Sequence, residues 1–274
     1  MRFPPFGIAS LTICLLLKGY DSSTPLHAAE ADSPHVPQGY RLIWNDEFNG
    51  RTLDPRKWQY RLLGKRESAV IAKECVSLDG NGQLHLTTHK VNDVIHTGMI
   101  GTQGLFQQRY GYFEARIKFQ KMQGHHGAFW LQSPTYGKVI DDPGQSGAEI
   151  DIIEFFGSGR SDRGARVNVY WNPYKPKPKQ AKPERIDLDP ILSSPGAELS
   201  DDFHIYALTW TDKEYVFSID GRKIYRTADG LSHQPEYVVL SLLCSDWERM
   251  RLDDSRLPEG MSVDYVRVYA PTRR

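Results

Sequence analysis

The sequence predicts an all-β fold, an antiparallel sandwich or jelly roll, from two features of its pattern. Short runs alternate between apolar and polar residues, which is the period of a strand with one buried face. Turn residues separate these runs at regular spacing, and no segment keeps a 3.6-residue apolar period with caps at both ends. A chain of 274 residues commonly forms one sandwich domain.

Strands can be assigned in order along the chain from about residue 40. Tyr237–Leu243 is almost wholly apolar, as is typical of a buried central strand, whereas the others alternate. The proline-rich residues 172–190 predict an extended loop, because proline cannot donate to a sheet ladder. The clearest strands are Leu84–Thr88, Gly111–Phe119, Ala207–Trp210, Tyr215–Ile219, Lys223–Tyr225, Tyr237–Leu243 and Met261–Tyr269.

The N-terminal residues 1–31 have the pattern of a cleavable signal peptide. A charged start is followed by an apolar run over residues 7–17 and by small residues at His27–Ala31. The run is shorter than the roughly 20 apolar residues that span a bilayer, so we expect a secreted or periplasmic protein with no membrane contact after cleavage. A short buried helix or a retained N-terminal anchor is the alternative. Residues 32–39 are a polar linker, and residues 40–271 form the predicted domain.

Composition excludes some partners and leaves the cysteines open. Lys+Arg and Asp+Glu both number 34, so no nucleic-acid or acidic-membrane partner is expected. Once Cys14 leaves with the signal peptide, Cys75 and Cys244 either pair or stay as buried thiols. No Cys/His spacing resembles a zinc site, and we expect a monomer that requires no cofactor.

The segment Gly147–Gly157 carries three acidic residues within an apolar, β-branched run. In a strand Glu149 and Asp151 point to the same face, but Glu154, five positions after Glu149, points to the other. One extra residue at Ile152–Ile153, a β-bulge, would return Glu154 to the first face, and bulges are common beside active sites. A solvated acidic face is the alternative, and the flanking apolar residues argue against it.

A pair of carboxyl groups on one face is the arrangement that glycoside hydrolysis requires. One carboxylate must be ionised to attack the anomeric carbon, and the other must be protonated to protonate the leaving oxygen. Two carboxyl groups about 5–5.5 Å apart give retention of configuration. Close like charges raise one pKa, which keeps a proton available. Asp151 can hydrogen-bond to the nucleophile and fix its rotamer.

The acidic segment resembles the catalytic signature of glycoside hydrolase family 16 in its β-bulged E-x-D-x-x-E form. The resemblance implies a jelly roll of two curved antiparallel sheets with a concave substrate cleft. It also implies Glu149 as nucleophile, Asp151 as its orienting partner, Glu154 as general acid/base and Trp130 at the cleft floor. Five further blocks follow the family's order over residues 40–270: Trp44–Asn49, Tyr110–Arg116, Ala128–Leu131, Phe203–Tyr206 and Val263–Val268.

Substrate contacts and calcium are also predicted. Glu47 and Asp264 lie in blocks that contribute to a structural calcium site in many similar proteins, although two acidic residues alone do not make one. The predicted substrate-binding residues are Trp130, Arg109, His126, Asn168, Tyr170, Trp171 and Trp247.

The cleft walls depart from the glucanase pattern of the family. His126 stands where a second tryptophan is expected, Tyr170 where a histidine is common, and Ser241–Trp247 replaces another characteristic segment. The predicted enzyme is a retaining endo-glycosidase that hydrolyses internal β-linkages of a polysaccharide. The substrate stays open between β-1,3- or mixed-linkage glucan and a marine galactan such as agar, porphyran or carrageenan. A transglycosylase and a non-catalytic lectin-like domain are the alternatives.

Overall fold

The computed structural model describes residues 33–172, 179–192 and 194–272. The predicted signal peptide, residues 1–31, lies outside the described residues. Within them the only α-helix is the four-residue α1 (Pro143–Ser146), and three 3₁₀ turns cover Lys73–Cys75, Arg249–Arg251 and Asp254–Arg256. The strands are β1 (Tyr40–Asp46), β2 (Gln59–Tyr60), β3 (Gly64–Arg66), β4 (Ala69–Ile71), β5 (Val76–Leu78), β6 (Leu84–Val91), β7 (Val94–Gly101), β8 (Gly111–Lys118), β9 (His126–Gln132), β10 (Glu149–Phe155), β11 (Ala165–Trp171), β12 (Lys179–Ala181), β13 (His204–Trp210), β14 (Tyr215–Ile219), β15 (Arg222–Thr227), β16 (Tyr237–Leu243) and β17 (Glu259–Pro271).

These strands form the predicted jelly-roll sandwich of two antiparallel sheets. One sheet, called the cleft sheet, has the order β2–β7–β16–β9–β10–β11–β12. The other has the order β15–β14–β13–β8–β17, and the far side of β17 pairs with β6 at its start and with β1 at its end. The hairpin of β6 and β7 connects the two sheets, and β4 runs parallel to β7 at one edge.

The main hydrophobic core lies between the two sheets, and strand alternation decides which side chains enter it. Along β8, Phe113, Ala115 and Ile117 are in this core, whereas Tyr112 packs with Tyr269 in a separate cluster. This is the alternation that the sequence predicts. Burying a side chain such as Phe113 stabilises the fold by roughly 1.5–3 kcal/mol.

The strand predictions are confirmed, with one correction in the proline-rich segment. Residues 172–190 were expected to be an extended loop throughout, but Lys179–Ala181 forms β12 and pairs with β11. β12 is an edge strand of three non-proline residues, a position where flanking prolines leave the ladder intact. Cys75 and Cys244 are both buried free thiols. In the part of the chain that the structure describes, no helix has the length and apolar character to cross a membrane.

Candidate active site

The acidic strand β10 lies between β9 and β11 and contains the predicted bulge. Against β9, Asp151 pairs with Trp130 and Ile153 with Phe129, so Ile152 is an extra residue. The register against β11 shifts over the same step, between Asp151 and Glu154. Both isoleucines are buried in the core between the sheets. The bulge therefore returns Glu154 to the face of Glu149 and Asp151.

The three carboxylates line a cleft of about 370 Å³ on the outward face of the cleft sheet. Residues of the neighbouring strands β9, β11 and β16 form the floor of the cleft, and residues of β3 and of the loop after β16 form one wall. The polar and aromatic residues of the lining are Arg66, Glu67, His126, Trp130, Glu149, Asp151, Glu154, Tyr170, Ser241, Ser245 and Trp247.

Glu149 is held by an amide from the neighbouring strand. Gln132 is its register partner on β9, and Gln132 Nε2 donates to Glu149 Oε2 at 2.6 Å. The amide oxygen of Gln132 accepts from Arg61 Nη2 at 2.5 Å and from the Tyr237 hydroxyl at 2.5 Å. The carboxylate of Glu149 is thus connected through one amide to a guanidinium.

Glu154 has neutral partners. Asn168 Nδ2 donates to Glu154 Oε2 at 2.8 Å, and His126 Nε2 lies 4.0 Å from Glu154 Oε1. Burial lowers the pKa of His126 to about 3, so its ring is neutral at physiological pH and supplies no positive charge. The ring instead stacks on Phe156, with centroids 4.8 Å apart.

The environments of the carboxylates shift their acidity by different amounts. Burial, followed by the charge of Glu149, raises the pKa of Glu154 to about 7, against the charge of Arg166 and the Asn168 hydrogen bond. Burial also raises the pKa of Glu149, but the Gln132 hydrogen bond and the charges of Arg61 and Arg66 oppose the rise. Burial and both glutamates raise the pKa of Asp151 well above its ordinary value. The site can therefore present one carboxylate and one carboxylic acid together, as general acid catalysis requires.

Aromatic rings define the floor and the rim of the cleft. Trp130 is only 6% exposed, and its Nε1 donates to Ser241 Oγ at 3.1 Å. Trp247 is 56% exposed and packs on Phe156 with ring centroids 5.2 Å apart. A buried ring and an exposed ring on one cleft offer apolar faces of the kind against which sugar C–H groups pack.

The structure brings most of the predicted substrate-binding residues to the cleft. Trp130, His126, Tyr170 and Trp247 line it, whereas His125, adjacent to His126, turns away to Thr88 and Glu259. Asn168 is also at the site, but it is 2% exposed and contacts Glu154.

Two predicted residues lie elsewhere. Trp171 follows Tyr170 on β11 and so points to the opposite face, where it packs against the core and against Gly230. Arg109 is exposed and stacks on its neighbour Tyr110, 5.3 Å from the ring centre. The positions of these two side chains do not support a contact with substrate.

Sequence reasoning missed Gln132, Arg61, Arg66, Tyr237 and Arg166. Gln132 could have been found, because it lies two residues after Trp130 and so shares its face of the strand. Arg61 and Tyr237 are 176 positions apart, and no local pattern connects them to β10.

The two residues proposed for calcium each face an arginine. The Glu47 carboxylate accepts two bonds of 2.8 Å from Arg267, and Asp264 accepts one of 2.8 Å from Arg116. Among the described residues, no group of three or more His, Cys, Asp or Glu side chains could hold a metal ion. Structural calcium stays a prediction, and the ion would have to displace these guanidinium groups.

Comparison with known proteins finds similar chains. β-Porphyranase B of Phocaeicola plebeius is 26% identical, in a match that covers 86% of this chain and 87% of that protein. Endo-1,3-1,4-β-glycanase ExsH of Rhizobium meliloti is 27% identical, covering 88% of this chain and 50% of its own length.

Solved structures show the same fold. SCLam, a non-specific endo-β-1,3(4)-glucanase, has a TM-score of 0.67 at 25% identity and covers 86% of this chain and 93% of its own. The laminarinase from Flavobacterium sp. UMI-01 has a TM-score of 0.65 at 26% identity, with coverages of 84% and 100%. The family model for Glycosyl hydrolases family 16 matches residues 65–267, well over half of the chain. The chain therefore belongs to glycosyl hydrolase family 16 and is a glycosidase.

Proposed function

We propose that this enzyme hydrolyses internal β-linkages of a polysaccharide with retention of configuration. Glu149 attacks the anomeric carbon while Glu154 gives its proton to the departing glycosidic oxygen. Glu154 then takes a proton from water, which attacks the glycosyl–Glu149 ester and releases Glu149. Asp151, which lies between them on the same face, orients Glu149 and titrates together with the two glutamates. The observation that carries the proposal is the Ile152 bulge, because it places both glutamates on the cleft face.

The acidities of the two glutamates support these roles. A pKa of about 7 leaves Glu154 partly protonated at neutral pH, as an acid that later acts as base requires. An amide and two arginines oppose the pKa rise of Glu149, whereas an amide and one arginine oppose that of Glu154, so Glu149 is the better candidate for the ionised nucleophile.

A cation on the cleft wall favours a substrate that carries an anionic group. Arg66 lines the cleft, and no ion pair of Arg66 is found among the described side chains. Arg166 lies beside the cleft, with its guanidinium 5.5 Å from the Trp247 ring centre, but it pairs with Asp162 at 3.4 Å. Arg66 is therefore the cation that would bind a sulfate or carboxylate on the polysaccharide. We therefore place an acidic galactan first and a neutral β-glucan second, the latter supported by the glucanase relatives.

Export fits this function. A polysaccharide outside the cell is too large to cross a membrane intact, so an enzyme that cleaves it there must be exported. We propose that residues 1–31 are removed on export. The intact mass of the secreted chain measures the cleavage site directly.

The test is a panel of polysaccharides scored for new reducing ends: laminarin, mixed-linkage glucan, agarose, porphyran and carrageenan. On the best substrate, ¹H NMR of the first products should show the β-anomer before mutarotation. Glu149→Gln and Glu154→Gln should each remove nearly all turnover and retain the wild-type circular dichroism spectrum. Initial release of the α-anomer, or near-wild-type turnover by either variant, would refute the mechanism.

A further inference from the structure

The amide of Gln132 has one permitted orientation. Its oxygen lies 2.5 Å from both Arg61 Nη2 and the Tyr237 hydroxyl, and Arg61 Nη2 also donates to that hydroxyl at 2.8 Å. Guanidinium nitrogens only donate, so a flipped amide would place its NH₂ against a donor. Gln132 Nε2 must therefore face Glu149.

Arg61 is itself fixed in place. Its guanidinium carbon lies 5.1 Å from the centre of the Trp130 ring and 5.4 Å from that of the Tyr237 ring. Its backbone N–H donates to the Met99 carbonyl at 3.0 Å. Two aromatic faces, through cation–π contacts, and a backbone bond hold the positive charge close to the cleft floor.

We propose that Arg61, Tyr237 and Gln132 form a positioning relay that fixes the nucleophile. Arg61 and Tyr237 hold the Gln132 amide, and Gln132 Nε2 fixes the Glu149 carboxylate in the orientation for attack. The relay deepens the proposed function and rests on Glu149 being the nucleophile. Asn168 donates to Glu154 in the same way, but no guanidinium hydrogen-bonds to Asn168 among the described side chains, and Arg166 acts on Glu154 through its charge alone. The difference assigns attack to Glu149 and proton transfer to Glu154.

The relay also sets the charge state of Glu149. The Gln132 bond and the charges of Arg61 and Arg66 lower the pKa of Glu149 against the burial that raises it. Deleting either the amide or the guanidinium should therefore raise this pKa. The titratable or charged groups that face Glu149 are Arg61, Arg66, Asp151, Glu154, Tyr170, Glu236 and Tyr237.

The experiment measures the titration of Glu149 without a substrate. Protein with ¹³C-labelled glutamate carboxyl groups is titrated by NMR, and the Glu149 signal is identified by its absence in Glu149→Gln. Arg61→Met and Gln132→Met should each move its midpoint up by about one pH unit. Tyr237→Phe, which removes one hydroxyl, should give a smaller rise in the same direction and keeps the test available if Arg61→Met does not fold.

The matched control is Arg116→Met on the other sheet. Arg116 also stacks on an aromatic ring, 4.6 Å from the centre of Phe203, and pairs with a carboxylate, but it is not part of the cleft lining. Its substitution should leave the Glu149 midpoint unchanged. Arg61→Lys keeps the positive charge and loses the planar guanidinium group. Its Glu149 midpoint should lie between those of wild type and Arg61→Met.

Kinetics provide the second readout. With the panel substrate that is cleaved fastest, the acidic limb of kcat/KM should move up by the same amount as the NMR midpoint, and kcat should fall more than KM rises. Folded Arg61→Met and Gln132→Met proteins with a wild-type Glu149 midpoint would overturn the relay. Wild-type-like turnover by Glu149→Gln would instead overturn the proposed function. The titration measures the pKa of Glu149 and not turnover, so failure of the relay and failure of the proposed function are distinguishable.

Discussion

At the scale of single residues, the site combines strongly buried acids with few compensating charges. Asp151 and Glu154 lie on an apolar strand, and burial is the largest cause of the raised pKa of each. Burial of a carboxylate weakens folding whenever the group must be ionised. The acidity that suits catalysis is therefore present at a cost to stability, as is common for active sites.

Glu154→Gln should stabilise the protein at high pH. The carboxyl group titrates near 4.5 when unfolded and near 7 when folded, so wild type loses folding free energy as the pH rises from 4.5 to 7. The loss reaches about 3 kcal/mol for a shift of this size. A neutral amide loses none, so the melting temperature of Glu154→Gln should exceed that of wild type above pH 7 and match it below pH 4.

Calorimetric melting at pH 4, 6 and 8 measures this difference. Glu184→Gln, at an exposed residue, is the control and should follow wild type at all three values. A Glu154→Gln protein that melts below wild type at pH 8 would show that the buried carboxylate is stabilising, contrary to this account.

Asn168→Ala should extend activity to higher pH while lowering it. The Asn168 amide donates to Glu154 and so lowers the pKa of that group. Without the amide the pKa rises, Glu154 keeps its proton to higher pH, and the alkaline limb of kcat/KM moves up. Loss of orientation should reduce kcat by about 10- to 100-fold.

Asn45→Ala, which removes an amide bonded to Glu47 on the other sheet, should change neither property in a pH–rate profile. An alkaline limb that moves down would contradict the assignment of Glu154 as the acid.

At the scale of elements, strand alternation explains what the sequence could predict and what it could not. The bulge in β10 was predictable because an odd step between Glu149 and Glu154 needs one extra residue on a common face. Alternation also decides that Tyr170 lines the cleft and Trp171 does not. The relay was not predictable, because Arg61 reaches Gln132 across 71 positions and only the packed sheet brings them together.

Deleting Ile152 should leave a working enzyme. Removing the extra residue restores regular alternation, and all three carboxylates still share a face. One buried isoleucine is lost, which should cost about 2–5 kcal/mol, and turnover should stay within about 100-fold of wild type. Deleting Ile150 is the matched control: it also removes one fully buried isoleucine, but it turns Glu149 to the opposite face from Asp151 and should abolish turnover. Reducing-end assays on both folded proteins compare them, and equal activity would refute the alternation argument.

At the scale of the whole molecule, charge is balanced overall but not within the cleft. Lys+Arg and Asp+Glu are equal at 34 each, yet Arg66, on the hairpin of β3 and β4, lines the cleft together with the three carboxylates of β10. This hairpin contacts the loop after β16, where Asp246 N donates to Glu67 at 3.0 Å and Ser68 donates to Asp246 at 2.6 Å. The hairpin thus holds a cation against one wall of the cleft, and in the proposed function this placement, rather than net charge, selects the substrate.

Arg66→Met should therefore discriminate between charged and neutral forms of one substrate. A charge-assisted hydrogen bond to sulfate is worth about 1.5–3 kcal/mol, so the variant should raise KM for a sulfated polysaccharide by about tenfold or more. It should leave KM for the chemically desulfated form unchanged.

Lys65→Met removes a cation from the same hairpin strand, but Lys65 is exposed and outside the cleft lining, so both forms should be cleaved as by wild type. Added salt should raise the wild-type KM for the sulfated form alone. If Arg66→Met raised KM equally for both forms, Arg66 would be binding sugar hydroxyls, and the neutral β-glucan would become the better substrate assignment.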